Sequence, residues 1–209
     1  MSYRITEIFR SLQGEGRWTG RPATFVRFSD CNLSCPWCDT RGRRRTAVMD
    51  LGEIVRKVED LGVPSVVVTG GEPTVQDGLG PLLRELKARG HWLALETNGL
   101  VAASEVALFD HVAMSPKAIY RERYLSTNHL RRADEVRVVA ERIGSVAAFC
   151  REMRTRVEAA DWYVSPLDEK GRIHYRRAYE LMDALNRELP AGAPPWMLSI
   201  QTHKVLGMR

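Results

Sequence analysis

Short apolar segments alternate with amphipathic ones along most of this chain. Apolar or alternating runs predict strands at residues 5–9, 24–28, 63–69, 92–97, 110–114, 135–140, 162–165 and 196–201. Helical spacing predicts helices at residues 50–61, 78–89, 105–108, 145–159 and 173–189, with a loop or irregular helix at 119–130. This alternation indicates an α/β fold with a largely parallel sheet, and we expect the first strand at a sheet edge.

Glycine or polar residues follow several of the predicted strands. Gly70-Gly71, Asn98-Gly99 and Ser115-Pro116-Lys117 each come directly after a strand. The carboxyl ends of parallel strands meet on one face, so we expect a site there. The helices are too few and too short for eight strand–helix units, which favours an incomplete barrel.

Length and composition favour one ordinary globular domain over residues 1–209. The chain is 44% hydrophobic and 27% charged, with no apolar run long enough to span a membrane. Its start shows no apolar signal region, and its cysteines suit a reducing compartment, so we expect a cytoplasmic protein.

The net charge of +5 is modest for this length. The one concentrated basic run is Arg41-Gly42-Arg43-Arg44-Arg45. This run is either a solvated loop or a positive rim that attracts an anionic substrate or a reducing flavoprotein.

Three of the four cysteines, Cys31, Cys35 and Cys38, fall within eight residues. Three thiolates can hold three irons of a four-iron cluster and leave one iron open to a small molecule. A structural zinc site is the alternative, but it needs a fourth ligand, and His91 and Cys150 are far along the chain. A disulfide framework is less favoured in a chain of this size.

The spacing of these cysteines resembles the signature of the radical S-adenosylmethionine (SAM) enzymes. The chain as a whole resembles the 7-carboxy-7-deazaguanine synthase family. Seven motifs carry this resemblance in order: Leu12-Gln13-Gly14-Glu15-Gly16, Phe25-Val26-Arg27, the cysteines with Asp39-Thr40, Thr69-Gly70-Gly71-Glu72-Pro73, Glu96-Thr97-Asn98-Gly99, Ser115-Pro116-Lys117 and Gln201-Thr202-His203-Lys204.

The resemblance implies a fold and a reaction. The fold would be a partial, modified (β/α) barrel of the radical SAM type, commonly a homodimer. The enzyme would be a lyase that contracts 6-carboxy-5,6,7,8-tetrahydropterin to 7-carboxy-7-deazaguanine with loss of ammonia, in queuosine or 7-deazapurine biosynthesis. A [4Fe-4S] cluster, SAM and Mg²⁺ would be its cofactors, and a flavodoxin-like protein or another donor would supply the electron.

The resemblance also implies roles for individual residues. Cys31, Cys35 and Cys38 would hold the cluster, and Thr40 would bind Mg²⁺. Substrate would contact Leu12, Gln13, Gly14, Glu15, Arg27, Thr69, His203 and Arg209. SAM would contact Gly71, Ser115, Pro116, Lys117 and Ser165. At Ser165 the chain departs from the family, in which glutamine is common before this proline.

Several of these residues also have structural interpretations. Arg27 could be a surface-paired arginine, His203 a structural histidine, and Glu96 the anchor of a buried loop. Cys150 lies in a helical segment and is expected to be a core thiol.

Two other functions are open to this sequence. A glycyl-radical-enzyme activase would share the cysteine motif but would need an open protein-docking surface rather than a pterin pocket. A zinc-stabilised nucleic-acid binder would use the basic run at residues 41–45.

Overall fold

The computed structural model describes residues 1–38, 46–126, 129–142 and 144–208. Within these ranges the strands are β1 (Ser2–Leu12), β2 (Pro22–Phe28), β3 (Ala47–Asp50), β4 (Ser65–Gly70), β5 (Trp92–Thr97), β6 (His111–Met114), β7 (Arg132–Val139), β8 (Glu158–Ser165), β9 (Asp168–Glu169), β10 (Arg172–Ile173) and β11 (Trp196–Leu198). The helices are α1 (Leu51–Asp60), α2 (Leu79–Ala88), α3 (Arg121–Ser126), α4 (Val146–Arg156), α5 (Tyr175–Arg187) and α6 (Thr202–Val205). Short 3-10 turns occupy Gly16–Trp18, Pro73–Val75, Ser104–Leu108 and Ala118–Tyr120.

Nine strands form one sheet in the order β11-β8-β7-β6-β5-β4-β2-β1-β3. All neighbours from β11 to β2 pair in parallel, as the sequence predicts. β1 instead runs antiparallel to both β2 and β3. The two remaining strands, β9 and β10, form a small separate hairpin.

Side chains alternate along each strand between the face covered by helices and the opposite face, which we call the inner face. Val66 and Val68 of β4 pack in the core with α1 and α2, whereas Val67 lies in a separate small cluster with Phe9 and Phe25. Successive side chains of a strand point to opposite faces, so Thr69 shares the face of Val67. The same alternation places Arg27, Glu96, Arg137 and Ser165 on that inner face.

Helix α1 shows how local sequence sets an element boundary. The backbone N–H of Glu53 donates to Asp50 Oδ1 (2.8 Å), and the Asp50 N–H donates to Glu53 Oε2 (2.7 Å). This is the capping box that the Asp50–Glu53 spacing predicts, and such caps contribute about 1 kcal/mol. Ile54, Val55 and Val58 bury the apolar face of the helix.

The structure corrects several predicted boundaries. β1 is longer than predicted and is not an edge strand, because β3 covers its outer side. The four residues of β3 carry too short a pattern to be read from the sequence. β7 and β8 begin earlier than predicted, at Arg132 and Glu158. Their first residues pair with each other, as Arg132 with Glu158 and Ala133 with Ala159.

Elements near the C-terminal end of the described chain also differ from expectation. The last strand ends at Leu198, and residues predicted to extend it lead instead into α6. The β9–β10 hairpin carried no apolar pattern and was not predicted. None of the helices in the described ranges is long and apolar enough to cross a membrane.

Candidate active site

The carboxyl ends of the parallel strands converge on a cavity of about 280 Å³. Most of the residues predicted to bind a ligand line this one cavity: Leu12, Gln13, Gly14, Glu15, Arg27, Cys31, Cys35, Cys38, Thr69, Gly71, Ser115, Lys117, Ser165 and His203. Pro116 does not line it. Motifs that are far apart in the sequence are therefore brought to a single site.

Three predictions fall outside the described residues. They are the magnesium ligand Thr40, the substrate contact Arg209 and the basic run at residues 41–45.

The cysteine loop, residues 31–38, is anchored to neighbouring loops by uncharged groups and one arginine. The Asn98 side chain donates to Asn32 Oδ1 (2.7 Å), and Arg123 donates to the Asn32 carbonyl (2.9 Å). The Ser34 N–H donates to the Tyr120 hydroxyl (3.0 Å). These contacts fix the first half of the loop against the ends of β5 and α3.

The thiols of this loop face the cavity in different environments. Cys35 is buried, whereas Cys31 and Cys38 are exposed. Burial raises the pKa of the Cys31 thiol and raises that of Cys35 to about 11. No three Cys, His, Asp or Glu side chains of the described residues are close enough together to bind a metal ion.

The donor set nevertheless fits an iron–sulfur cluster. Three thiols on one short loop face one cavity, and thiolate sulfur is the ligand that such clusters use. The fourth thiol, Cys150, is fully buried in the hydrophobic core, and burial raises its pKa to about 12. The prediction of a core thiol at Cys150 is confirmed.

Gly70 and Gly71 allow the loop after β4 to approach the cysteine loop. A Cβ at Gly71 would lie 2.0 Å from the Asp30 carbonyl oxygen, and Gly70 has a φ of +125°. The Gly71 N–H donates to the Phe28 carbonyl (2.9 Å), and the Glu72 N–H donates to that of Asp30 (2.7 Å). Side chains at these two positions would push the two loops apart.

Glu72, in the same motif, joins the loops after β4 and β5. Its carboxylate accepts hydrogen bonds from the Thr97 hydroxyl (2.6 Å), the Asn98 N–H (2.6 Å) and the Thr74 N–H (3.1 Å). Burial raises the pKa of Glu72 despite these donors. Glu72 is therefore a structural residue of the site, a role that the sequence did not assign.

Polar groups follow β6 and β8 on the other side of the cavity. Lys117 Nζ donates to Ser115 Oγ (2.6 Å), and Ser115 Oγ donates to the Arg137 carbonyl (3.0 Å). Ser165 Oγ is buried and has no hydrogen-bond partner among the described residues. A buried hydroxyl without a partner is costly, so this atom suits contact with a bound polar ligand.

Glu15, Glu96 and Arg137 line the cavity, and together with Glu135 behind them they form a charge network. Arg137 NH1 donates to Glu15 Oε2 (3.2 Å), and NH2 donates to Glu96 Oε1 (3.1 Å). Arg137 Nε lies 3.1 Å from Glu135 Oε1. Arg137 is only 4% exposed, and the sequence did not single it out.

Glu96 is ionised within this network. Burial would raise its pKa, but the Arg137 guanidinium and hydrogen bonds from Gln13 (3.0 Å) and Thr69 (2.9 Å) outweigh burial and lower it to about 2. Glu96 thus anchors two predicted substrate contacts and also lines the cavity itself. The interpretation of Glu96 as a structural anchor is confirmed in part.

Gly14 and His203 join the loop after β1 to α6. A Cβ at Gly14 would lie 1.9 Å from His203 Nδ1. The Thr202 N–H donates to the Gly14 carbonyl (3.0 Å), and Gln201 donates to Glu15 Oε1 (2.5 Å). Glycine is needed at residue 14 because the imidazole occupies the space of a side chain.

Arg27 projects from β2 into the same cavity. Its Nε donates to Glu7 Oε1 (3.0 Å), so it has a carboxylate partner, as the structural interpretation expects. The pair is not a solvated surface pair, because the two side chains are only 20% and 9% exposed. Arg27 therefore presents a partly buried positive charge to the cavity.

The sequence missed several lining residues besides Arg137. Gln201 and Lys204 lie in a motif that was recognised, but no role was given to them. Lys204 Nζ donates to Asp168 Oδ2 (2.6 Å), which joins α6 to the β9–β10 hairpin. Asp168 could have been predicted from its position, because it follows the end of β8 and Pro166 by a few residues, where other strand ends carry site residues.

Comparison with known proteins gives one consistent result. The family model described as "Radical SAM superfamily" matches residues 25–155. A 7-carboxy-7-deazaguanine synthase of Neisseria meningitidis is 44% identical over 206 residues, covering 99% of this chain and 94% of the relative. The enzyme of the same name from Haemophilus influenzae is 39% identical over 209 residues, covering 99% and 94%.

A solved structure shares the fold. QueE from Escherichia coli matches with a TM-score of 0.71 and 24% identity, covering 96% of this chain and 94% of that one. At 24% identity this similarity supports a shared fold and nothing further. It agrees with the mostly parallel sheet and with the predicted partial barrel.

Proposed function

Since the chain belongs to the 7-carboxy-7-deazaguanine synthase family of radical SAM enzymes, we propose that it catalyses the reaction for which these relatives are named. The substrate is 6-carboxy-5,6,7,8-tetrahydropterin, and the products are 7-carboxy-7-deazaguanine and ammonia, in queuosine or 7-deazapurine biosynthesis. One observation supports this most: a single cavity unites the three cysteines with Glu15 and Arg27.

Radical SAM enzymes carry a [4Fe-4S] cluster and SAM. When bound, these groups supply the electron and the radical that takes a hydrogen atom from the substrate. Cys31, Cys35 and Cys38 hold the cluster. Gly71, Ser115, Lys117 and Ser165 bind SAM, whereas Pro116, which does not line the cavity, is left out of this set. The Ser165 hydroxyl has no partner among the described residues, which supports its assignment.

Glu15 recognises the pterin ring. A carboxylate is an acceptor-only group, and a pterin presents adjacent N–H donors on its pyrimidine edge. Arg137 and Gln201 hold the Glu15 carboxylate from the protein side. Gln13 and the backbone of Leu12 and Gly14 complete this end of the pocket, with Thr69 and His203 contacting the substrate nearby.

Arg27 binds the substrate carboxylate. A guanidinium offers paired donors in a planar fork that matches a carboxylate. The neighbouring Glu7 orients this fork by accepting from its Nε. Charge attraction in a partly buried site then sets the direction in which the substrate enters.

Magnesium, the electron donor and assembly are further parts of the proposal. Thr40 binds Mg²⁺ beside the substrate carboxylate, and Arg209 contacts substrate; sequence position and family resemblance support both. A flavodoxin-like protein is proposed as electron donor and a homodimer as the assembly. An oxygen-sensitive cluster and free thiols support a cytoplasmic location.

Anaerobic turnover tests the function. The reconstituted protein is incubated with SAM, Mg²⁺, dithionite and the carboxytetrahydropterin, and the deazapurine product is followed by ultraviolet absorbance and mass spectrometry. Glu15→Ala and Arg27→Ala should each abolish product formation. Arg89→Ala, which removes an exposed arginine paired with Glu59 and Glu85, is the matched control and should leave turnover unchanged.

The alternatives predict other results. Product formation that survives in the Glu15 or Arg27 variant rejects the pterin assignment. A glycyl-radical-enzyme activase would cleave SAM only with a protein substrate. A zinc protein would contain one zinc per chain in place of iron and sulfide.

A further inference from the structure

Arg137 contacts carboxylates from three separate segments. Glu15 follows β1, Glu96 lies on β5, and Glu135 precedes Arg137 by two residues on β7. The guanidinium donates one hydrogen bond each to Glu15 and Glu96, and its Nε faces Glu135. Burial would lower the pKa of Arg137, but these three carboxylates raise it, so the group stays charged.

The two carboxylates of this network that line the cavity, Glu15 and Glu96, differ in the acceptor capacity that they retain. A carboxylate offers about four lone-pair sites. Glu96 accepts from Gln13, Thr69 and Arg137, and is nearly filled. Glu15 accepts one hydrogen bond on each oxygen, from Arg137 and from Gln201. Glu15 therefore retains one acceptor site on each oxygen, which matches two adjacent N–H donors.

The loop that carries Glu15 depends on the same network. Glu135 Oε2 accepts from the Arg17 N–H (2.8 Å), and a Cβ at Gly16 would lie 2.2 Å from Glu135 Oε1. The Gly16 N–H donates to Ser199 Oγ (3.0 Å). The loop is thus held to partners of Arg137 on both sides of Glu15: Arg17 contacts Glu135, and Gln13 donates to Glu96.

We propose that Arg137 is a positioning residue that sets selectivity for the 2-amino-4-oxo pyrimidine edge of the substrate. Its planar fork holds Glu15 and Glu96 at a fixed spacing and keeps the outer lone pairs of Glu15 directed at two ring donors. A lysine at this position would have one nitrogen for two carboxylates on different segments. This inference rests on the proposed function and names the residue that orients its recognition group.

Equilibrium binding of two oxidised, non-reacting probes tests the proposal. The probes are 6-carboxypterin and 6-carboxylumazine, which carries a carbonyl in place of the 2-amino group. Their affinities for the anaerobically reconstituted enzyme with SAM are measured by fluorescence titration. The wild-type enzyme should bind the pterin at least about 100-fold more tightly, because lumazine keeps the N3–H donor but places a carbonyl oxygen against the second Glu15 oxygen, which is left without a donor.

Variants at residue 137 separate positioning from general support of the fold. In Arg137→Met the preference for pterin should fall about tenfold, since a charge-assisted hydrogen bond to Glu15 is lost. The pterin preference of Arg137→Lys should lie between those of the wild-type enzyme and Arg137→Met. If the methionine variant does not fold, the lysine variant provides the test. Arg154→Met, which removes an arginine stacked on Trp162 outside the cavity, should keep the wild-type preference.

The outcomes are distinguishable. If both affinities fall equally while their ratio stays at the wild-type value, Arg137 has only a structural role and the inference is overturned. If the ratio and both affinities are unchanged, it is overturned as well. If the wild-type enzyme itself shows no preference for the pterin, the proposed function fails first.

Discussion

The cysteine loop and the charge network face the same cavity but are built in opposite ways. The loop is held through an amide side chain, a tyrosine hydroxyl and backbone groups, and two of its three thiols are exposed. The network is held by ion pairs of the buried Arg137 with Glu15 and Glu96, which form without any ligand. The difference agrees with the proposal that a cofactor completes one end of the site, whereas the other end is preorganised by folding.

Two carboxylates, the partly buried Glu96 and the buried Glu141, differ in the same way. Glu96 in the network has a buried guanidinium beside it, and its pKa is lowered to about 2. Glu141 supports the turn after Lys117 by accepting from the N–H groups of Ala118 (2.9 Å) and Ile119 (2.8 Å). It has no ion pair among the described residues, and burial raises its pKa to about 7.

The largest effect is expected at the cysteine loop. Cys35→Ser should remove the cluster and reduce turnover to background, because serine oxygen is a poor substitute for thiolate sulfur. The measurements are iron and sulfide content and formation of 5'-deoxyadenosine. Cys150→Ala should retain full iron, and a Cys35→Ser protein that did the same would contradict the cluster assignment.

Removing one carboxylate from the charge network should cost stability as well as activity. Glu96→Ala should lower the free energy of unfolding by about 2 kcal/mol, since it removes one of the three carboxylates around buried Arg137 and leaves the donors of Arg137, Gln13 and Thr69 without their acceptor. The figure is below that of a fully buried pair because 27% of the Glu96 side chain is exposed. Urea denaturation measures it.

The control for this prediction is an exposed pair. Arg151 and Glu188 are 52% and 50% exposed, so Glu188→Ala should cost clearly less than Glu96→Ala. Equal losses in the two variants would mean that the network adds no stability beyond that of a solvated pair.

The junction between the loop after β1 and α6 should respond to a single methyl group. Gly14→Ala should displace His203, weaken substrate binding and cost about 1 kcal/mol of stability. In a His203→Ala background the same change should cost little, because the clash is gone. A double-mutant cycle on stability and KM measures this; additive effects would show that the two residues do not interact.

The smallest effect is a difference in pH dependence. Glu141 has a folded pKa of about 7 against an ordinary 4.5, so the native state binds more protons and its stability falls as pH rises between these values. Glu141→Gln should flatten this slope. Glu96 acts with the opposite sign: its contribution is present above the ordinary pKa of 4.5 and is lost as pH falls towards 2.

Chemical denaturation at a series of pH values measures both slopes. Glu96→Gln should remove part of the acid-side loss without changing the slope above pH 4.5. If the slope of stability against pH between 4.5 and 7 is the same in Glu141→Gln as in the wild type, Glu141 does not titrate near pH 7.

The sequence was informative where a site is local and less so where folding assembles it. The cysteines lie within eight residues, so their spacing with the neighbouring motifs predicted a cluster site, with a zinc site as the alternative. Arg137 stands in an alternating strand segment, Glu135-Val136-Arg137-Val138, where polar residues ordinarily face solvent. Two of its three carboxylate partners come from β5 and from the loop after β1, and no short-range pattern links these segments to β7.

The fold shows the same division. Parallel pairing followed from the alternation of strands and helices, and the capping box of α1 followed from two residues. The antiparallel pairing of β1 with β3 depends on a contact across a segment that includes the cysteine loop, and four residues of β3 carry too little pattern to predict it. The small β9–β10 hairpin is set by a turn at Gly171 rather than by apolar periodicity.

The contact of Gly14 with Thr202 has a consequence for biosynthesis. Residues 13–16 leave the ribosome early, whereas their partners at 199–204 are among the last of this sequence to be translated. The pocket wall therefore closes only after translation of the sheet is finished. A product truncated before residue 199 would keep the three cysteines but lack part of the wall that holds Glu15. Such an incomplete chain would carry the cysteine motif without the complete substrate pocket.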